Sequence, residues 1–590
     1  MVSASATSRF CPRIVLAFGG RVGVPLALAL AATWPLARHA GGLLPLGTYD
    51  SHTPTLATEW TLWWNADRIR HLYAGYWNAP IFAPATDTFA LSEPQPLSGL
   101  VFAPFYWLSG SLELAHNLTL LAVLTANGFF AARLLRRNGV REIPAALGGG
   151  MTTLLPFVHA QLGVLPFIAL PGIIASIDAW LALVREPSWR RGALLGIAVT
   201  ASYFLSCQLT LLFVLSLALG GAAAFPRALL RKKTWSCLAL AALVFAALAA
   251  PVFAKQLGAA RSEHLERSVV TVRHLSAGLN QYVRTPWREL LPLPGLSPAK
   301  AQRRAFYPGT VKLLLALLAL AVCWKRRSLP PLPRASLGLA AAALLIGTGP
   351  LADVGPVSFY GALAHVVPGF RQIRGLFHTA ALVQLAIVLL AAWAIDALAP
   401  RADADRDRAF WRWTIGIHAA GLLAVVELWP RGQRFFTPTP LSVHEGWIAA
   451  LEARSSPDTV LAFVPFPEGR DVEEFEPTAE WMRLQARFER PMVNGYSSYF
   501  PAPHRRLALA MERFPAQKSL DALCGAGVSY LIQDLRFSKS ELGQPDFSLV
   551  YDDPSARMRA YAFEHCKTRA FDREKSAASP TAASSAPAPR

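Results

Sequence analysis

Long apolar runs without charge constrain this chain more than any other feature of its sequence. Leu313–Trp324, Ala335–Ile346 and Ala380–Ile395 contain no Asp, Glu, Lys or Arg, and with their flanks each approaches the ~20 residues that cross a bilayer as a helix. Only 16% of all residues are charged, whereas soluble globular domains carry about 25%. The sequence therefore predicts a polytopic integral membrane protein, a membrane all-α helical bundle.

The distribution of Lys and Arg predicts how the chain crosses the membrane. A short apolar block that contains Pro104, 97–110, decides the topology: if it crossed, every later basic loop would face away from Arg9 and Arg13. If it is a re-entrant or surface helix, all these loops lie on the cytoplasmic side, as the positive-inside rule requires. We therefore expect about eleven spans, a cytoplasmic N-terminus and an extracytoplasmic C-terminal region. The predicted spans are 14–37, 115–132, 143–160, 164–184, 192–207, 208–225, 236–254, 308–324, 335–352, 376–397 and 412–430.

The net charge of +19 has a topological explanation. Many of the basic residues lie in the short loops between apolar blocks, and no basic stripe is interleaved with aromatics in the way that nucleic-acid binding requires. We therefore expect the lipid bilayer, and not nucleic acid, as a partner. These loops are Arg133–Arg141, Arg185–Arg191, Arg227–Lys233, Lys325–Arg334 and Arg401–Arg408.

Three long segments, 38–114, 255–306 and 431–590, are predicted on the outer face. We predict a transmembrane module over 1–430, a small α/β extracytoplasmic domain over 431–571 and a disordered Ala/Ser/Pro-rich tail over 572–590. The α/β prediction rests on helical and β-rich patterns that alternate along the segment. Cys524 and Cys566 could pair if this region lies in an oxidising compartment, but nothing in the sequence requires it. The patterns are helical over Leu441–Arg454 and Glu476–Glu489, and β-rich over Thr459–Phe466, Val528–Gln533 and Arg557–Phe563.

The first outer segment contains the candidate catalytic carboxylates. Asp50 and His52 follow the first span, an aromatic stretch over Trp60–Tyr73 is typical of a helix at the membrane interface, and Asp87 and Glu93 precede the 97–110 block. Carboxylates at the interface can remove a proton from an acceptor hydroxyl or hold a divalent cation against a phosphate. They can equally be solvated loop acids or helix caps, and the spacing leaves both interpretations open.

Several short segments of this chain, together with its plan of spans and outer loops, resemble the GT-C superfamily of membrane glycosyltransferases. The resemblance covers most of the chain. Within the superfamily, the chain is most similar to the bacterial branch of YfhO-type and polyprenyl-phosphate-sugar-dependent proteins. The matching segments are Asp50 with Trp60–Asn65, Ile81-Phe82-Ala83-Pro84 with Ser92-Glu93, His116-Asn117, His159-Ala-Gln161, Pro368-Gly-Phe-Arg-Gln-Ile-Arg374 and Val493-Asn-Gly-Tyr496.

The resemblance implies a GT-C-like helical bundle that takes a sugar from a polyprenyl-phosphate donor and places it on an acceptor at the outer face. By position, Asp50 is the implied base or metal ligand, and Glu93 or Asp87 is the second carboxylate. The chain departs from better-known members because Asp50 is followed by Ser51 and His52 and not by a second acid. The need for a divalent cation such as Mg²⁺ or Mn²⁺ therefore stays open.

A donor with a lipid-linked phosphate needs cationic partners on the outer face. Arginine suits phosphate because its planar fork donates two hydrogen bonds; alternatively, these arginines pair with anionic lipid headgroups or with Glu263 and Glu266. His159 and Gln161 form a polar pair at a span end, facing outward, where such groups are functional candidates. The predicted substrate-binding residues are His52, Asp87, His159, Gln161, Arg267, Arg273, Arg371 and Arg374.

Three hypotheses follow for the function. The first is a glycosyltransferase of the bacterial inner membrane that modifies an envelope glycan, lipid or protein. The second is a non-enzymatic membrane protein that transports or presents a lipid-linked envelope intermediate. The third is a scaffold whose outer domain binds a partner through Asn494–Tyr496 and Phe500–Pro503, although a structural turn explains these residues as well.

Overall fold

The computed structural model describes residues 12–46, 51–283, 305–353, 358–400, 408–430, 433–467, 469, 471–538, 542 and 545–566. The chain forms two compact units. The first comprises Met1–Ala74 and Glu93–Pro438, and the second comprises Gly75–Ser92 and Thr439–Arg590. Asp50 and the predicted tail 572–590 lie outside the described residues.

Helices make up most of the first unit, and in the described part of the chain six of them are long and apolar enough to span a membrane. Each coincides with a predicted span. On Lys232–Ser262 the apolar side chains of Trp235 and Leu243 are more than half exposed, as is expected of a surface that faces lipid. The chain is therefore a membrane protein. The six helices are Leu112–Arg137, Leu165–Arg185, Cys207–Ala224, Lys232–Ser262, Pro331–Leu351 and Leu376–Leu398.

The other five predicted spans also fall on helices, some of which are short or interrupted. Thr310–Lys325 has 16 residues, about 24 Å of helix against the ~30 Å of a bilayer core. A break at Leu154 and Leu155 separates Glu142–Thr153 from Pro156–Ala160, because a residue before proline disfavours the helical conformation. The total of eleven crossings thus stays a prediction. The remaining three helices on predicted spans are Pro12–Ala32, Trp189–Leu205 and Arg408–Val426.

The block 97–110 forms the helix Pro96–Ser109, which begins at a proline and ends before Gly110 with a left-handed φ of 67°. Its 14 residues extend about 21 Å, which is less than a bilayer core. This length agrees with the prediction that the block does not cross. Other helices of the first unit are Thr53–Arg70, Pro226–Leu229, Val269–His274 and Phe359–Val366.

Ion pairs gather the predicted cytoplasmic loops at one end of the first unit, which we call the basic end. Arg141 donates to the carboxylate of Asp396 at 2.7 Å and to the carbonyl oxygen of Pro400 at 2.9 Å. Arg21 and Asp178 are among the few charges within predicted spans, and both are paired at this end. The pairs are Arg21–Glu142 at 2.9 Å, Arg136–Glu142 at 2.8 Å and Arg137–Asp178 at 2.7 Å.

The second unit contains a four-stranded sheet with helices. Its strands follow the short strands β1 (Leu44–Pro45) and β2 (Phe435–Phe436) of the first unit and are β3 (Val460–Val464), β4 (Val528–Asp534), β5 (Phe547–Asp553) and β6 (Met558–Phe563). They lie in the order β3-β4-β6-β5, and β3 and β4 are parallel. β5 and β6 complete the sheet with antiparallel pairings. A disulfide joins Cys524 and Cys566, which answers the question of pairing that the sequence left open. The helices are Glu445–Glu452, Glu476–Phe488, Ala502–Met511 and Gln517–Gly525.

The middle of the first outer segment belongs to the second unit, which the sequence did not predict. The backbone N–H groups of Phe82 and Ala83 donate to the carbonyl oxygens of Asn494 and Met492 at 3.1 and 3.0 Å, and Met492 N donates to Pro80 O at 3.1 Å. Phe82 is fully buried and packs edge to face against His504, with 4.7 Å between ring centroids. Residues 75–92 are thus held by backbone pairing and by one buried ring.

Candidate functional site

The start of the helix Cys207–Ala224, away from the basic end, is the centre of the candidate site. Glu93 binds it with both carboxylate oxygens: Oε2 accepts from Cys207 N at 2.7 Å, and Oε1 accepts from Gln208 N at 2.8 Å and from the Ser206 hydroxyl at 3.4 Å. The first N–H groups of a helix have no partner within the helix and carry a partial positive charge, so a carboxylate is stabilised there. Glu93 thereby joins the first outer segment to this helix.

The surroundings of Glu93 change its acidity. Burial raises its pKa from about 4.5 to about 6, and the hydrogen bonds from Gln208, Cys207 and Ser206 oppose this rise. A carboxyl group with a pKa near 6 can bind and release a proton close to neutral pH, which a general acid or base requires. Because each oxygen already accepts a backbone N–H, chemistry at Glu93 would use the remaining lone pairs.

The side chain of Gln208 extends the contact to the Gly375–His378 segment. Gln208 Nε2 lies 2.9 Å from His378 Nδ1 and 3.4 Å from Gly375 O, and His378 Nδ1 lies 2.6 Å from Gly375 O. The His378 ring packs on Phe167 with 3.8 Å between centroids. Sequence reasoning did not single out Gln208 or His378, although a polar residue at the start of an apolar span is the signal that could have identified them.

Two of the predicted arginines come together directly before this segment. Arg267 N donates to Arg371 O at 3.1 Å, and the side chain of Gln372 donates to Leu265 O at 2.7 Å. Arg371 also pairs with Glu266 at 3.1 Å, as one of the two interpretations of the sequence predicted. Arg273 and Arg374 are exposed. A continuous chain of contacts therefore runs from Glu93 through Ser206–Gln208 to the arginine segments.

His52 directly precedes the helix Thr53–Arg70. Its ring stacks on Phe436 with 3.9 Å between centroids and 10° between planes. Near it, β1 (Leu44–Pro45) pairs with β2 (Phe435–Phe436), and the Thr55 hydroxyl contacts Pro45 O at 2.7 Å and Gly163 O at 3.2 Å. The structure thus joins the start of the first outer helix to the segment that follows His159 and Gln161. Asp50, two residues before His52, is outside the described residues.

His159 and Gln161 are buried: they are 4% and 3% exposed. His159 Nε2 lies 3.0 Å from Thr153 O. Phe157, two residues earlier, has its ring centroid 6.2 Å from that of His378. The His159–Gln161 turn therefore adjoins both the first outer helix, through Gly163, and the His378 contacts, through Phe157.

The predicted carboxylates are divided between the two units. Asp87 lies in the second unit, where its φ is 54° and its backbone N–H donates to Asn78 Oδ1 at 2.9 Å. Glu59 is fully buried on the helix Thr53–Arg70, and sequence reasoning did not identify it. Its position directly before the aromatic stretch Trp60–Tyr73 is the feature that could have revealed it. Among the described residues, no group of three or more His, Cys, Asp or Glu side chains is placed to hold a metal ion.

Comparisons with known proteins bear on the family and on the fold. A family described as "Domain of unknown function (DUF6311)" matches residues 73–379, and no curated protein matches. The structure of the arabinofuranosyltransferase AftD from Mycobacteria matches with a TM-score of 0.53 and 17% identity, covering 95% of this chain and 40% of AftD. This likeness confirms the predicted GT-C-like fold. The YfhO-type branch stays a prediction.

Two further solved structures match with lower TM-scores. The archaeal oligosaccharyltransferase AglB from Archaeoglobus fulgidus matches with a TM-score of 0.46 and 12% identity over 90% of this chain and 70% of AglB. ArnT from Cupriavidus metallidurans, solved with bound undecaprenyl phosphate, matches with a TM-score of 0.39 and 12% identity over 95% of this chain and 98% of ArnT.

Proposed function

We propose that this chain, which belongs to the DUF6311 family, is an integral membrane glycosyltransferase. It transfers a sugar from a polyprenyl-phosphate-linked donor to an envelope glycan, lipid or protein on the outer face of the bacterial inner membrane. The observation that carries the proposal is the chain of contacts from Glu93 through Ser206–Gln208 to Arg371 and Arg267. It brings a carboxylate of raised pKa and two arginines to one end of a GT-C-like bundle.

The arginines would bind the phosphate of the donor. Arg371 and Arg374 would be the main phosphate ligands, because hydrogen bonds hold their segment against Leu265 and Arg267. Arg267 and Arg273 add charge from the neighbouring segment. Glu266, which pairs with Arg371 in this structure, would give up that contact when phosphate binds, because a bidentate Arg–phosphate pair is the stronger interaction.

The reaction is a direct displacement at the anomeric carbon of the sugar. The carboxylate of Asp50 accepts the proton of the acceptor hydroxyl, the acceptor oxygen forms the new bond to the anomeric carbon, and the bond from that carbon to the phosphate oxygen breaks. Polyprenyl phosphate leaves with the bonding electron pair and is stabilised by the arginines. Glu93 is the second carboxylate, and His52 and His159 with Gln161 contact the substrate.

Asp50 is also the residue that would bind Mg²⁺ or Mn²⁺, a cation that neutralises charge on a leaving phosphate. No group of three or more His, Cys, Asp or Glu side chains among the described residues is placed to hold a metal ion, and no step of the displacement depends on one.

Two observations, one in each unit, support the proposed orientation in the membrane. The Cys524–Cys566 disulfide belongs to a class of bond that persists in oxidising compartments such as the periplasm. The loops at the basic end carry the Arg excess that marks a cytoplasmic face. Both agree with a cytoplasmic N-terminus.

Complementation of a deletion strain tests the function and the role of Asp50 together. We expect the wild-type gene to restore the envelope glycans of the strain, and Asp50→Asn to fail although the protein reaches the membrane at the wild-type level. Asp458→Asn is the matched control, because Asp458 is exposed in the second unit. Full complementation by Asp50→Asn would remove Asp50 from the mechanism.

The same strain separates the enzyme from a transporter. A glycosyltransferase deletion accumulates unused donor on the outer face, whereas loss of a transporter accumulates the lipid-linked intermediate in the cytoplasmic leaflet. Accumulation in the cytoplasmic leaflet would contradict the proposed function.

A further inference from the structure

Two buried polar atoms on one turn of the first unit have no hydrogen-bond partner among the residues that the structure describes. They are Nδ1 of His159 and Nε2 of Gln161, and their side chains are 4% and 3% exposed. An unpaired polar group in a protein interior costs about 1–3 kcal/mol, so native structures rarely retain one without a function or a bound molecule. Two such atoms, two residues apart, indicate a site that a ligand completes.

The protonation of His159 follows from its one contact. Thr153 O can only accept a hydrogen bond, so Nε2, at 3.0 Å from it, carries a hydrogen and donates. In the neutral imidazole, Nδ1 is then an acceptor. The Gln161 Nε2 group is a donor. The turn therefore presents one acceptor and one donor, a combination that suits a hydroxyl group, because a hydroxyl both donates and accepts.

A phosphate does not fit this pair as well. An ionised phosphate oxygen only accepts, so it could take the hydrogen of Gln161 but would leave Nδ1 of a neutral His159 unpaired. The turn is also linked through Gly163 and Thr55 at 3.2 Å to the start of the first outer helix, whereas the arginines lie on other segments. Recognition of phosphate and recognition of hydroxyl thus use different parts of the same unit.

We propose that His159 and Gln161 bind a hydroxyl group of the sugar that the donor carries. The sugar hydroxyl donates to Nδ1 of His159 and accepts from Nε2 of Gln161. This inference rests on the proposed function and adds to it the residues that distinguish a sugar-bearing carrier from a bare one. A carrier without the sugar leaves both buried atoms unpaired, so the wild-type protein prefers the sugar-bearing lipid by about 10- to 100-fold.

Isosteric variants of His159 separate recognition from structure. Asn places a polar atom where Nδ1 lies but does not reach Thr153, and Gln reaches the position of Nε2 but leaves nothing at Nδ1. We expect His159→Gln to keep the wild-type melting temperature and to lose the preference for sugar-bearing lipid. His159→Asn should melt earlier and keep the preference, and Gln161→Met, which removes the donor with little change of volume, should lose it.

The measurement is the dissociation constant of full-length protein in nanodiscs for four probes. They are undecaprenyl phosphate and its glucosyl, mannosyl and arabinosyl derivatives. A preference of the wild type for one of the sugar-bearing probes, lost in His159→Gln and Gln161→Met and retained in His159→Asn, supports the inference.

The remaining outcomes overturn it in distinguishable ways. If the wild type prefers a sugar-bearing probe and all three variants keep that preference, the two atoms bind water only, and the proposed function stands without this inference. If the wild type binds the bare and sugar-bearing probes equally, no sugar hydroxyl is recognised. If it binds none of the four, the proposed function fails as well.

Discussion

At the scale of single residues, Glu93 combines a structural contact with an acidity suited to catalysis. It holds the start of a long apolar helix through Cys207 N and Gln208 N, and burial raises its pKa to about 6. The two properties oppose each other. The ionised carboxylate is the better acceptor for the helix N–H groups, whereas burial favours the protonated form.

We predict that activity falls as the pH decreases through about 6, because protonation of Glu93 weakens its hold on Ser206–Gln208. Glu93→Gln keeps one acceptor oxygen but cannot titrate, so its activity should be lower and this part of the pH profile should be flat. The measurement is the initial rate of sugar transfer in proteoliposomes between pH 5 and pH 8. A variant profile with the same inflection as the wild type would assign it to another group.

The same shift has the opposite consequence for stability. The pKa of Glu93 is higher in the folded protein than its ordinary value of about 4.5. Its contribution to the free energy of unfolding is therefore fully present below pH 4.5 and is lost as the pH rises through about 6. The melting temperature of the wild type should therefore fall relative to that of Glu93→Gln as the pH rises over this interval. A difference that is constant with pH would contradict the raised pKa.

Arg374 offers a second test at this scale, because it is exposed and its removal should leave the fold intact. Loss of one charge-assisted hydrogen bond to phosphate costs about 1.5–3 kcal/mol. We therefore predict that Arg374→Ala raises the KM for the lipid-linked donor about 10-fold or more, with a smaller change in kcat. Arg513→Ala is the matched control, since Arg513 is exposed in the second unit. Equal KM values for the two variants would remove Arg374 from donor binding.

At the scale of elements, hydropathy and charge located the long helices because they are local properties of the chain. Leu112–Arg137 and Leu376–Leu398 lie within a few residues of their predicted spans, and the basic loops meet at one end. The Gln208–His378 contact joins residues 170 positions apart, so no local pattern could reveal it.

The two alternatives for the second carboxylate, Glu93 and Asp87, show another limit of sequence reasoning. The two acids are six positions apart, yet they belong to different compact units. Asp87 belongs to the second unit because the neighbouring residues Phe82 and Ala83 pair with Asn494 and Met492. These partners lie some 400 residues further along the chain. Proximity along the chain therefore did not predict a common site.

Phe82 gives the prediction that belongs to this scale. Its ring is fully buried in the second unit, and removal of a buried Phe ring costs about 3–5 kcal/mol. We predict that Phe82→Ala lowers the stability of this unit by about that amount and exposes it to limited proteolysis in the full-length protein. Phe537→Ala, which removes a ring that is 53% exposed, should change stability by less than about 0.5 kcal/mol. Equal protease sensitivity of the two variants would show that residues 75–92 are not part of this unit.

At the scale of the whole molecule, the direction of the chain across the membrane decides whether the proposed chemistry is feasible. Polyprenyl-phosphate sugars can act on envelope acceptors only from the outer face, so the candidate site and the basic end must face opposite sides. The disulfide of the second unit and the arginines of the basic end support the same orientation from independent chemistry.

Single cysteines introduced into the full-length chain test this orientation. We predict that Asp458→Cys is labelled by a membrane-impermeant maleimide in intact spheroplasts, because Asp458 is exposed in the second unit. Arg190→Cys, which is exposed at the start of the helix Trp189–Leu205 at the basic end, should react only after permeabilisation. The wild-type protein shows how much labelling comes from Cys207, Cys237 and Cys323, which form no disulfide, and therefore serves as the control. Labelling of Arg190→Cys in intact spheroplasts would place the basic end outside and Glu93, at the other end of the first unit, in the cytoplasm, where an envelope acceptor is absent and the proposed reaction could not take place.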